Sequence, residues 1–163
     1  MKTLLIVYHS MTGGTLQMAL AAAAGARSED GLQVSVLRAA DTKAEDVLGA
    51  DGYIFASPEN LAAISGLMKD FFDRTYYAAL ERINGRPYVA LICAGSDGRN
   101  AAQQIDRIVT GWRLKPIADA FIVCTHAQTA EQILSPKRID ERSLMTCEEL
   151  GKTMGSGIVM GIF

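Results

Sequence analysis

Five apolar runs recur along the chain, at Thr3 to Tyr8, Gln33 to Leu37, Gly52 to Ala56, Tyr88 to Ala94 and Ile117 to Cys124, most of them continuous rather than alternating. A continuous run is what a strand covered on both faces requires, and strands covered on both faces belong to parallel sheets flanked by helices. Between the runs lie stretches with helical periodicity: Thr15 to Ser28, Lys43 to Leu48, Ile64 to Leu80, Asn100 to Trp112, and a last one near Arg142 to Val159. This order predicts right-handed βαβ crossovers and an α/β, doubly wound, five-stranded parallel sheet with helices on both faces. A length of 163 residues fits one domain over residues 1–163, large enough to bury a full sheet without metal or disulfide support.

In such a sheet a ligand sits at the C-terminal strand ends, where the winding direction reverses. The loops after the first, third and fourth strands, Ser10 to Thr15, Ser57 to Leu61 and Gly95 to Arg99, are therefore the ones to inspect. The first reads Ser10-Met11-Thr12-Gly13-Gly14-Thr15. Its glycines let the backbone curl until successive N–H groups converge on one anion, at a helix N-terminus with partial positive charge. No Lys or Arg lies in this turn, so it suits a terminal phosphate wrapped by neutral groups.

Phosphoryl chemistry is excluded by what that turn lacks. Thr15 follows Gly14 directly, without the lysine of a P-loop, and only Gly13-Gly14 stands where a dinucleotide fold needs three spaced glycines. His9-Ser10 and Ser57-Pro58 occupy the positions where a phosphorelay receiver has acidic residues, and no cysteine enters the first turn.

Cys93, Cys124 and Cys147 are odd in number and widely spaced, with no His at metal spacing, and read as buried thiols. With 49% hydrophobic and 21% charged residues and a formal net charge of -2, nothing favours nucleic acid or a membrane surface. The apolar run after Met-Lys-Thr is too short for a signal peptide, so a cytoplasmic location is expected. The polar stretch from Thr125 to Ser143 has weak helical periodicity and reads as a surface excursion. Gly151, Gly155, Gly157 and Gly161 mark a last helix in close approach to the sheet or to a partner.

Ser10-x-Thr12-Gly13-x-Thr15, Ser57-Pro58-Glu59-Asn60 and the segment Gly66-Leu67-Met68-Lys69-Asp70-Phe71-Phe72-Asp73-Arg74 resemble the flavodoxin-like superfamily. The resemblance is to its NAD(P)H-dependent FMN reductase and quinone reductase branch, and it continues to Met160-Gly161-Ile162-Phe163. It implies a flavodoxin-like, FMN-binding domain. Ser10, Met11, Thr12, Gly13, Gly14 and Thr15 would wrap the FMN phosphate; Pro58, Glu59, Asn60 and Leu61 would line one side of the isoalloxazine; Gly95, Ser96, Asp97 and Gly98 would close the other. It implies NADH or NADPH as co-substrate, a small-molecule electron acceptor and a homo-oligomer.

Two other uses of bound FMN fit the same fold: a flavodoxin-type electron carrier and a non-catalytic flavin-binding accessory protein. Carrier flavodoxins flank the ring with Trp or Tyr and have an acidic surface, whereas the loops at Pro58 and Gly95 contain no aromatic residue. An uncovered ring leaves room for hydride exchange, which favours the enzyme. No catalytic side chain is expected. Glu59, Asp97 and Arg99 read as solvated loop charges, with tuning of the flavin or grip on a pyridine nucleotide as the alternative. His9 and His126 read as plain loop histidines and Trp112 as a helix-end packing residue. Leu67, Met68, Phe71 and Phe72 are placed to face the sheet, and Tyr76 and Tyr77 to supply aromatic cover or a subunit contact.

Overall fold

A computed structural model describes residues 1–163. Strands β1 (Lys2–Tyr8), β2 (Leu32–Arg38), β3 (Gly52–Asn60), β4 (Ala63–Ile64), β5 (Pro87–Ala94), β6 (Lys115–Pro116) and β7 (Phe121–Cys124) alternate with helices. These are α1 (Gly14–Ala26), α2 (Ala44–Gly49), α3 (Gly66–Ala79), α4 (Arg99–Gly111), α5 (Ala130–Leu134) and α6 (Glu141–Met160). The order across the sheet is β2-β1-β3-β5, with both β6 and β7 on the far side of β5, all parallel. The doubly wound, flavodoxin-like expectation holds.

The last strand differs from the run Ile117 to Cys124. It is split: Lys115–Pro116 pairs with Pro87–Tyr88, the chain leaves the ladder after Ile117, whose N–H still donates to the Tyr88 carbonyl at 3.0 Å, and Phe121–Cys124 resumes beside Leu91–Ala94. Pro116 is tolerated at this edge because the N–H groups that reach toward β5 are those of Lys115 and Ile117, and its own missing N–H faces away from the ladder. β3 also runs beyond Ala56 and turns back as an antiparallel hairpin with β4, pairing Glu59 with Ile64 and Asn60 with Ala63.

Alternate residues of each strand feed two cores. Leu4, Ile6, Ile54, Ala56, Leu91 and Cys93 meet α1 and α6 on one face. Leu5, Val7, Phe55, Ala90 and Ile92 meet α3 and α4 on the other. There Phe55 lies 5.3 Å from Phe72 and 6.4 Å from Trp112, ring centroid to centroid, within the range of favourable aromatic pairs. Trp112 is fully buried at the end of α4 and donates its indole N–H to the Tyr76 carbonyl at 2.9 Å, the packing role expected of it.

Two expectations about side chains are corrected. Leu67 is 43% exposed while Met68, Phe71 and Phe72 are buried, because the buried stripe of α3 runs through Met68, Phe72, Thr75 and Ala79, and Leu67, one residue before Met68, lies about 100° around the helix from it, at the edge of that stripe. Cys93 and Cys147 are buried, but Cys124 is only half-buried, since it belongs to the edge strand β7. The close approach expected of the last helix is to α1: a Cβ on Gly151 would overlap the Ala22 carbonyl oxygen.

Candidate functional site

A cavity of about 420 Å³ opens at the C-terminal ends of β1, β3 and β5, a size usual for small-molecule sites. Its floor is the β1–α1 turn. Gly13 adopts φ 93°, a left-handed conformation that suits glycine and swings the chain into α1 without a side-chain cap. The Ser10 hydroxyl accepts the Gly13 N–H at 3.1 Å, and Gln17 N–H returns to the Gly13 carbonyl at 3.1 Å. The N–H groups of Met11, Thr12, Gly14, Thr15 and Leu16 donate to no protein acceptor, nor do the Thr12 and Thr15 hydroxyls. Unpartnered donors gathered at a helix N-terminus are an anion site in waiting.

One wall is the β3–β4 hairpin, lining the cavity with Pro58, Glu59, Asn60, Leu61 and Ala62. Leu61 (φ 51°) and Ala62 (φ 64°) make its two-residue turn, both left-handed. The hairpin is tied to α4 at three points. Glu59 Oε1 accepts the Gly98 N–H at 3.0 Å, Gln104 Oε1 accepts the Ile64 N–H at 2.8 Å, and the Asn100 side-chain amide donates to the Ala62 carbonyl. Glu59 is therefore not a free loop charge. Its carboxylate supplies the α4 N-terminus with the acceptor that Gly98, at φ 83°, does not.

The opposite wall comes from Cys93, Ala94, Gly95 and Ser96 together with Thr125 and Ala127. Asp97 and Gly98, expected here, lie outside the lining, as does Gly13. A Cβ on Gly98 would lie 2.6 Å from Ile122 Cγ2, so Gly98 closes on β7 rather than on the cavity. Asp97 is held by Arg99 Nε at 2.7 Å in an exposed pair, and that guanidinium keeps the Asp97 carboxyl below its usual range. These are solvated loop charges.

The histidines follow the plain reading. His9 is half-buried and burial pushes its imidazole below the ordinary value; its backbone N–H donates to Ala56 O at 3.1 Å. His126 is exposed, with its N–H on the Gly95 carbonyl at 2.8 Å. Tyr76 stacks on Trp112 at 5.6 Å and Tyr77 is 82% exposed, so neither reaches the cavity, whose lining contains no aromatic side chain.

Sequence reading missed seven lining residues: Ala62, Cys93 and Ala94, which adjoin the expected loops, and Thr125, Ala127, Ile133 and Lys137, from the excursion after β7. That excursion folds back over the β1–α1 turn, where Lys137 N–H donates to the Thr12 carbonyl at 2.8 Å and the Gln17 side chain bonds both Lys137 O and Ile139 N. The cradle expected to be free of charge thus has a lysine beside it. Cys93, at the end of β5, closes the bottom: its Sγ would lie 2.6 Å from a Cβ on Gly14, and burial pushes its thiol pKa up.

A profile of the NADPH-dependent FMN reductase family matches residues 38–128, more than half the chain. The chain belongs to that family. The match takes in the hairpin wall and the Gly95–Ser96 turn, while the β1–α1 turn precedes it. A flavodoxin from Aquifex aeolicus is 37% identical over 60% of this chain and 53% of its own length. An NAD(P)H dehydrogenase (quinone) from Acidithiobacillus ferrooxidans is 36% identical over 46% of this chain and 48% of its own. The chain thus spans about half the length of these curated relatives. A flavodoxin from the domain Archaea superposes with a TM-score of 0.80 at 20% identity, over 96% of this chain and 99% of that one.

The family's cofactor can be tested against the cavity. A phosphate needs converging donors and a flat ring needs two walls; the unpartnered N–H groups of Met11, Thr12, Gly14, Thr15 and Leu16 and the gap between hairpin and Gly95–Ser96 turn provide both. The residues present fit FMN.

Proposed function

We propose that residues 1–163 form one FMN-binding domain of an NAD(P)H-dependent oxidoreductase that reduces a quinone-like or other small acceptor. The phosphate would rest on the N–H groups and hydroxyls of Ser10 to Thr15, and the isoalloxazine would lie between Pro58–Leu61 and Gly95–Ser96. FMN held there would supply two-electron hydride chemistry between a reduced nicotinamide and the acceptor. The chain's own part is to bind and orient. Glu59, Asn100 and Gln104 hold the hairpin wall against α4, and the α1 N-terminus offsets the phosphate charge.

The observation that carries the reductase reading is the aliphatic and polar character of both walls. A ring not sandwiched by aromatic side chains presents a face on which a nicotinamide or a quinone can stack. The three free thiols suit a reducing compartment, and we place the protein in the cytoplasm. Apolar side chains exposed around the cavity mouth, Met11, Leu61 and Ile133 among them, supply a surface for a homo-oligomer.

Anaerobic titration of FMN-loaded protein with NADH and then NADPH tests the reading. Loss of the oxidised-flavin absorbance with either nucleotide, regained on adding a quinone, is the expected result. Loaded protein that stays oxidised with both overturns the reading; if it also accepts one electron to a stable semiquinone it is an electron carrier, as the Aquifex relative's name would have it.

A further inference from the structure

Lys137 is the one cationic side chain lining the cavity. Its backbone is built into the phosphate cradle: the N–H bonds Thr12 O at 2.8 Å, and the carbonyl accepts Gln17 Nε2 at 2.8 Å, the same amide that donates to Gly13 O at 2.9 Å. Lys137 Cβ lies 3.3 Å from the position a Gly14 Cβ would take. The residue therefore stands directly beside the unpartnered donors of the turn.

Its ammonium has no carboxylate partner. Nζ instead donates to the carbonyls of Gln132, Ile133 and Ser135 at 2.8, 2.8 and 2.6 Å, around the C-terminus of α5. Those are neutral acceptors on a five-residue helix with no buried residue. The other side-chain bonds of that helix are local too, Thr129 with Gln132 and Ser135 with Glu131. A charged acceptor binds an ammonium more strongly than a carbonyl does, so an anion in the cradle would outcompete the helix end.

Resting on the FMN reading above, we propose that Lys137 is the phosphate-reading residue of this site, its ammonium turning from the α5 carbonyls to the terminal phosphate and so setting the preference for FMN over riboflavin. The donors at Ser10 to Thr15 favour an anion through partial charges only; the lysine adds a full charge that acts on FMN and not on riboflavin.

Flavin fluorescence quenching on wild type, Lys137→Met and Lys137→Arg, each titrated with FMN and with riboflavin, tests this. Lys137→Met should raise the FMN Kd by about tenfold or more, the range of a hydrogen bond to a charged group, and leave the riboflavin Kd within about twofold. Lys137→Arg should keep most of the FMN affinity, and added salt should weaken FMN binding to wild type more than to Lys137→Met. An unchanged FMN Kd in Lys137→Met overturns the proposal. So does an equal loss for both flavins, which would reduce Lys137 to a tether for α5. Wild type that binds neither flavin would instead sink the FMN reading, and this inference with it.

Discussion

Glu59 and Gly98, thirty-nine residues apart, are joined by a 3.0 Å hydrogen bond from the Gly98 N–H to the Glu59 carboxylate. A residue of one cavity wall thereby closes the N-terminus of the helix behind the other, and Ala101 N–H adds a longer contact of 3.5 Å to the same carboxylate. Removing it should loosen both walls at once. Glu59→Ala is expected to cost about 1–2 kcal/mol, as loss of a helix cap does, whereas Asp97→Ala, which breaks an exposed pair with Arg99, should cost clearly less. Glu59→Ala and Asn100→Ala should combine non-additively, because both hold the same hairpin to α4. Urea denaturation of the two single variants, the double variant and Asp97→Ala measures all of this; Asp97→Ala falling further than Glu59→Ala would refute it.

Gly14 and Cys93 form a second coupled pair. A methyl group on Gly14 would sit 2.6 Å from Cys93 Sγ and 3.3 Å from Lys137 Cβ, so Gly14→Ala should destabilise by about 1–3 kcal/mol through overpacking. Truncating the sulfur makes room. Cys93→Ala in the Gly14→Ala background is expected to recover about 1 kcal/mol or more, a favourable coupling that thermal melts of the four-member cycle would reveal. Strict additivity would mean that the turn relieves the clash by backbone movement instead.

His9 predicts a pH dependence. Burial lowers its folded-state pKa beneath the ordinary 6.5, so the unfolded chain takes up a proton first as pH falls. Its contribution to stability is complete above about pH 6.5 and is lost as pH drops toward the folded pKa. Chemical denaturation between about pH 7 and 5 should show a slope that His9→Gln removes, with NMR titration placing the His9 pKa below the ordinary 6.5. A His9 pKa above 6.5 reverses the sign and disproves the account.

What the sequence made legible follows from how each part is specified. Ser10, Thr12, Gly14, Thr15, Pro58, Asn60, Gly95 and Ser96 come together because the order of apolar runs fixes which loops share one sheet end. That inference needs no side-chain detail. Lys137 and Ile133 reach the same cavity through bonds from Gln17 to Lys137 and Ile139, across more than a hundred residues. No periodicity in Thr125 to Ser143 announces such a contact. Asp97 and Gly98 fall outside for a local reason, since Asp97 pairs with Arg99 in solvent and Gly98 closes on Ile122 of β7. The break at residues 118–120 is hidden because Ile117 and Phe121, on either side of it, are both apolar.

The hairpin tip offers the sharpest contrast between stability and binding. Leu61 and Ala62 hold φ 51° and 64° in a two-residue turn, where Asn-Gly is the favoured pair because L side chains with a full Cβ resist left-handed backbone. Leu61 is fully exposed, so replacing it sacrifices no packing within the chain. Leu61→Asn combined with Ala62→Gly should therefore stabilise the protein by about 1 kcal/mol, the gain from relieving strain less the added entropy of a glycine in the unfolded state. Leu61 nonetheless lines the cavity. If its exposed side chain serves as apolar cover for a bound ring, the same double variant should bind FMN more weakly while melting at a higher temperature. Differential scanning calorimetry and flavin titration on one preparation decide it. A lower melting temperature defeats the strain argument, and a higher one with unchanged FMN affinity confines Leu61 to the turn.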